Sequence, residues 1–215
     1  MVSTAMLLLL AAGAVGCAAD DPGRGGRPVQ ASEELEALYR SGIEFTEFLA
    51  AADRRRELWV DHYENGAVPP EVLARASAIR GTWRILAIAE DWCSDSVNTI
   101  PFLALLAERV DGIELRVIDS DAGRGLMEAH RTPDGRAATP TVLILDSAYE
   151  VVGCWVERPS ELQKWALASR PGMTDEAFLT RKMAWYRDDA GASTVGEMVD
   201  LIEAASGGRA SCPTG

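Results

Sequence analysis

The sequence predicts one α/β domain with the element order β-α-β-α-β-β-α and additional helices at both ends. Three observations carry this. Four short apolar segments, 83–89, 113–118, 141–145 and 150–156, have the length and composition of strands. Stretches with apolar residues at helical spacing separate and flank them. The length, 215 residues, suits one elaborated domain with a single sizeable core rather than two domains.

Taken in order, residues 5–15 are apolar, with Leu7 to Leu10 consecutive. That run is too short to span a bilayer and fits the h-region of an export signal. It ends in Ala14-Val15-Gly16-Cys17, small residues before a cysteine, as in a bacterial lipobox. Residues 1–17 are therefore expected to be a signal peptide, with Cys17 lipidated and the protein anchored outside the cytoplasm. A plain secretory signal, or a start codon placed too far upstream, remains an alternative. Residues 18–31, rich in Gly, Pro and charge, read as a flexible tether. The domain proper is expected over 32–206, with a core at 82–169 and helical extensions at 32–80 and 171–206.

Within the first extension, Glu44 to Tyr63 carries a helical apolar face, interrupted by Asp53-Arg54-Arg55-Arg56, which reads as a solvated face. Pro69-Pro70 opens a helix reaching Ile79. In the core, 83–89 is a buried strand, about 94–110 a helix, 113–118 an alternating strand and 125–130 a short helix. The last two strands, 141–145 and 150–156, form a hairpin across Asp146 to Tyr149, and 161–168 is a helix. Two more helices, 174–187 and 194–204, follow Pro171-Gly172. The tail, 207–215, lacks a periodic pattern and reads as disordered.

Charge narrows the partners. With 21 basic and 33 acidic residues the net charge is −12. Phosphate backbones want a basic stripe, so nucleic acid is not an expected partner.

The chemistry concentrates in Glu90-Asp91-Trp92-Cys93-Ser94-Asp95-Ser96 and in Ala138-Thr139-Pro140-Thr141. Cys93 follows an apolar strand and precedes a helix, where unpaired backbone N–H groups favour a thiolate. The nearby Glu90, Asp91 and Asp95 work against it. Ser96 stands three residues on, where its hydroxyl can reach the sulfur but cannot form a disulfide. One thiol attacks a disulfide; it does not by itself resolve the mixed disulfide that results. Of the other cysteines, Cys17 is assigned to lipid, Cys154 to a buried strand and Cys212 to the tail. Neither histidine stands at metal-ligand spacing from a cysteine, so no metal and no cofactor is expected. His130 reads as a helix C-terminal residue, and Asp119 and Asp121 as turn and cap residues.

These motifs resemble the thioredoxin superfamily over about 83–168. Trp92-Cys93 opens the helix, Pro101 lies where thioredoxins bend it, and Thr139-Pro140-Thr141 matches the cis-proline segment. A wider likeness, over about 40–205, is to a bacterial thioredoxin-like subgroup. It rests on Trp59 to Tyr63, Glu90 to Cys93, the Gly135-Arg136-Ala137 stretch before Pro140, and Trp185-Tyr186 before an acidic turn ending at Gly191. Members of that subgroup carry Cys-x-x-Cys where this chain has Cys-x-x-Ser. The resemblance implies a thioredoxin-like core, a cis Thr139–Pro140 bond, and a substrate groove at Trp92, Thr139 and Pro140. It also places Ala87 where thioredoxins hold a buried carboxylate.

Three functions stay open. The first is monothiol exchange through Cys93 with Ser96 beside it, acting on protein or small-molecule thiols and disulfides. The second is a redox-inactive peptide-binding module using the Pro140 groove. The third is a structural lipoprotein with no function at this site. Cys154 acting as a resolving partner for Cys93 is a further possibility.

Overall fold

A computed structural model describes residues 27–212, with side chains from Ser32 onward. The signal segment, Cys17 and most of the tether lie outside the described residues. The last residues of the expected tether are helical, since α1 runs Arg27–Ser41. Pro28 sits in its first turn, where a missing N–H costs nothing.

The first extension continues with α2 (Phe45–Ala51), α3 (Arg56–Glu64) and α4 (Pro70–Ala78). The core follows as β1 (Trp83–Ile88), α5 (Ile100–Arg109), β2 (Ile113–Ile118), α6 (Arg124–Ala129), β3 (Thr141–Leu145), β4 (Val151–Val156) and α7 (Ser160–Ser169). Two C-terminal helices, α8 (Asp175–Asp189) and α9 (Ala192–Ser206), complete the domain. No helix among the described residues is long and apolar enough to cross a membrane.

The sheet order is β2-β1-β3-β4. β1 and β2 are parallel, Trp83 opposite Ile113. β3 runs antiparallel to both β1 and β4. This is the expected core topology. Strand alternation divides the apolar residues between two faces. Ile85, Ala87, Val142, Ile144 and Trp155 pack with residues of α3, α5 and α9. Leu86, Ile88, Leu143, Leu145 and Cys154 pack on the other face with Tyr39 of α1 and Met127 of α6.

Three local expectations need correction. The stretch Asp53 to Arg56 is exposed as expected but does not lie within one helix: Asp53 to Arg55 lie in the break between α2 and α3, and Arg56 opens α3. The Arg56 guanidinium there donates to the carbonyls of Leu49, Ala50 and Ala52, closing the end of α2. The helix expected from 94 is a 3₁₀ turn at Ser96–Asn98 followed by α5, broken at Thr99 (φ −131°). Pro101 lies in the first turn of α5, beyond that break. The part of the tail among the described residues, through Cys212, is held to the sheet. Ser211 bridges Gly153 in parallel, and Cys212 forms a disulfide with Cys154. Cys154 is buried as expected, but it is a disulfide partner rather than a free small hydrophobe.

Candidate functional site

β1 and β3 end side by side, Ile88 opposite Thr141, so the loops beyond them meet at one edge of the sheet. Cys93 comes from the loop after β1 and Thr139–Pro140 from the loop before β3. The Thr139–Pro140 peptide is cis. The Cys93 thiol donates to the Thr139 carbonyl at 3.1 Å and accepts from the Ser96 N–H at 3.4 Å. Cys93 is 7% exposed, while Trp92 beside it is 54% exposed. Thr139 is half-buried and Pro140 buried. The five residues expected at the site, Trp92, Cys93, Ser96, Thr139 and Pro140, thus come together. Cys93 is the one free cysteine among the described residues. Cys154 is bonded to Cys212, so it is not a resolving thiol for Cys93 in this state.

Ser96 behaves differently from expectation. It is fully buried, and its hydroxyl has no hydrogen-bond partner in the protein. Its backbone N–H, not its Oγ, faces the sulfur. Because the helix is broken at Thr99, the sulfur meets this one N–H at a short 3₁₀ turn and not the end of a continuous helix.

Asp95 is the residue that the sequence reading most misjudged. It is 6% exposed and surrounded by cations and donors. Lys182 Nζ donates to it at 2.7 Å and to Ser94 Oγ at 2.8 Å. The Tyr186 hydroxyl donates at 2.8 Å, and the Arg158 guanidinium lies 3.6 Å away. Arg158 pairs in turn with buried Glu157, which also receives two donations from Arg136, at 3.1 and 2.9 Å. Asp95 is therefore not an open negative charge beside the thiol. Ala87 is buried in the core, so the carboxylates packed into this region come from Asp95 and Glu157 instead.

The N-terminal extension holds the other side of the loop. Asp91 Oδ2 accepts the backbone N–H groups of Asp53 and Arg54, at 2.9 and 2.8 Å. Arg55 Nε donates to the Trp92 carbonyl at 2.8 Å, and buried Trp59 donates its indole N–H to the Asp91 carbonyl at 3.0 Å. Glu90 accepts from the N–H and hydroxyl of Ser120. Arg55 (φ 54°) and Glu157 (φ 69°) both hold left-handed backbone next to the loop. Such conformations cost about 1–3 kcal/mol each and persist where the surroundings impose them. Trp155 is a strand-core residue, its indole N–H bonded to Glu197. His130 caps the end of α6, its imidazole kept deprotonated more readily by burial.

The profile of a thioredoxin family matches residues 42–177. The chain belongs to this thioredoxin family. Among solved structures it is similar to a protein of unknown function from Pseudomonas aeruginosa, PA1234. The two are 22% identical, the match covers 78% of this chain and 96% of that one, and the TM-score is 0.63. An HIV epitope-scaffold matches with 20% identity, the same coverage and a TM-score of 0.61. At these identities both support the fold alone. No curated protein matches the chain.

Lys182, Tyr186, Glu157 and Arg158 went unnoticed as site residues. The available signals were Tyr186 in the Trp-Tyr pair of the resemblance and a Glu157-Arg158 pair directly after an apolar strand.

Tyr186 gives a pH test. Burial first, then the Asp95 carboxylate, hold its phenol well above its ordinary titration range. A pKa raised on folding stabilises fully below the unfolded value, about pH 10, and that contribution is lost as pH rises past it. Tyr186→Phe should cost about 1.5–3 kcal/mol at pH 7, the range for a hydrogen bond to a charged group. The gap between variant and native protein should narrow above about pH 10. Urea unfolding at the two pH values measures both, and an equal gap would refute the assignment.

Proposed function

We propose that this protein carries out monothiol thiol–disulfide exchange through Cys93, on extended polypeptides laid against Thr139 and Pro140. The Ser96 N–H that donates to the Cys93 sulfur, next to the cis Thr139–Pro140 peptide, carries this reading. In the first step the Cys93 thiolate attacks one sulfur of a substrate disulfide. A Cys93–substrate disulfide forms and the second substrate sulfur leaves as thiolate. A small external thiol then attacks the mixed disulfide, restoring Cys93 and leaving with the substrate sulfur. Ser96 has no sulfur, so it cannot perform this second step. Trp92, exposed beside the thiol, offers an apolar surface to the substrate, and Thr139 offers its backbone for strand-like pairing.

A second reading is a redox-inactive module that binds extended peptides in the same groove. The burial of Cys93, and its S–H committed to the Thr139 carbonyl, favour it. The missing second cysteine separates the two. On the exchange reading, the native protein forms mixed disulfides that persist until a small thiol is added. Cys93→Ala abolishes them while the fold is kept, and Ser96→Cys raises insulin reduction by dithiothreitol about tenfold or more, since it supplies the resolving thiol. Absence of trapped adducts in the native protein, with no gain from Ser96→Cys, leaves the binding module as the account.

We further propose an extracytoplasmic location with Cys17 as lipid anchor, contact with the membrane being through that lipid alone. The Cys154–Cys212 disulfide supports an oxidising compartment. Cys17→Ser should move the protein from the membrane to the soluble fraction. A mature chain that still starts at unmodified Met1, by intact mass, would refute the proposal.

A further inference from the structure

A second sulfur-rich corner lies away from Cys93. Cys154 is on the sheet face opposite α5 and α9, and Cys212 reaches it from the tail. His130, at the end of α6, brings Nδ1 to 3.4 Å from the Cys154 sulfur. The three candidate ligand atoms all lie within 4.8 Å of one another. His130 and Cys212 are half-buried, so the corner is reachable from solvent, while Cys154 is buried.

We propose that reduction of the Cys154–Cys212 disulfide turns this corner into a Cys₂His site for a thiophilic divalent cation of the zinc class. The site is separate from the exchange chemistry of Cys93 and does not depend on it. The balance is simple. A dithiol or phosphine reductant gives two electrons to the disulfide and is itself oxidised, leaving two cysteine thiols. The cation then binds both sulfurs as thiolates together with the imidazole nitrogen, and two protons leave.

Geometry favours the set. Zinc–sulfur and zinc–nitrogen bonds of about 2.3 and 2.05 Å at tetrahedral angles place sulfur and nitrogen roughly 3.6 Å apart. The observed 3.4 Å is close to this. The two sulfurs must separate, to roughly 3.8 Å by the same arithmetic, and all three ligand atoms already lie within 4.8 Å of one another. The tail keeps Cys212 in reach without the disulfide. The Cys154 N–H donates to the Ser211 carbonyl at 3.1 Å, and the Ser211 N–H to the Val152 carbonyl at 3.0 Å. His130 is held from the other side by its own N–H, bonded to the Leu126 carbonyl at 3.0 Å. Three protein ligands leave a fourth position for water or an outside ligand.

The test uses the full chain carrying Cys17→Ser and Cys93→Ala, so that no other thiol contributes. Oxidised and phosphine-reduced samples, freed of reductant without air, are titrated with cobalt(II) and then zinc(II). The reduced protein should bind one cobalt per chain, with a thiolate-to-cobalt charge-transfer band that one equivalent of zinc removes. The oxidised protein should give no such band. Adding His130→Ala should weaken zinc binding about tenfold or more, and adding Cys212→Ser should abolish the band. Sub-stoichiometric binding by the reduced chain would overturn the proposal. So would binding unchanged by His130→Ala or Cys212→Ser, or binding no tighter than that of the urea-unfolded chain.

Discussion

Burial of the Asp95 carboxylate is the constraint on which the thiol loop depends. A carboxylate removed from water is tolerated only when cations and donors surround it. Lys182, Tyr186 and Arg158 supply them. Asp95 lies two residues beyond Cys93, so whatever fixes Asp95 also fixes the turn that carries the sulfur. Lys182 and Tyr186 stand four apart on α8, on one helix face, and they are the buried residues of that helix. α8 is therefore tied to the thiol loop through this ionic contact, whereas α9 holds to the domain by its buried apolar residues. Among the buried side chains of the cluster, Asp95 and Glu157 balance Lys182 and Arg158 in charge. Removing one partner would leave an uncompensated buried charge, which costs about 3–5 kcal/mol.

The first extension clamps the same loop by a different means. Its contribution is a set of hydrogen bonds to Asp91 and Trp92 from the break between α2 and α3, backed by the buried Trp59. Gly191, at φ 81°, turns the chain between α8 and α9 where a Cβ would run into the Phe102 ring, so α9 can lie against α5. The α2–α3 break, Trp59 of α3, and α8 are thus working parts of the site. What remains open to a partner is the side bearing exposed Trp92 and half-buried Thr139.

Most of the fold was legible because its signals are local. Apolar strands of five or six residues, turn residues between them and prolines at helix starts gave β1 to β4 and most helices nearly to the residue. Cys93, Trp92, Thr139 and Pro140 were legible for the same reason, since each sits in a short motif. Asp95 was misread because its charge was weighed without partners that lie 63 to 91 positions away in the chain. The Arg54–Arg56 run is exposed as its charge suggests, but the break it makes between α2 and α3 was not legible, because the carbonyls that Arg55 and Arg56 serve come together only on folding. The Cys154–Cys212 pairing joins residues 58 apart. Its one sequence signal was that these two cysteines were left over once Cys17 and Cys93 had been assigned.

The claim that α8 and the thiol loop are locked together by the buried charge cluster has a direct measurement. A double-mutant cycle on Asp95→Asn and Lys182→Met, read by urea unfolding at pH 7, isolates the coupling of the pair. The account predicts a coupling of about 2 kcal/mol or more, in the upper part of the range for residues sharing one network. Additive effects, within about 0.5 kcal/mol, would contradict it and make α8 a passive appendage to the thioredoxin core.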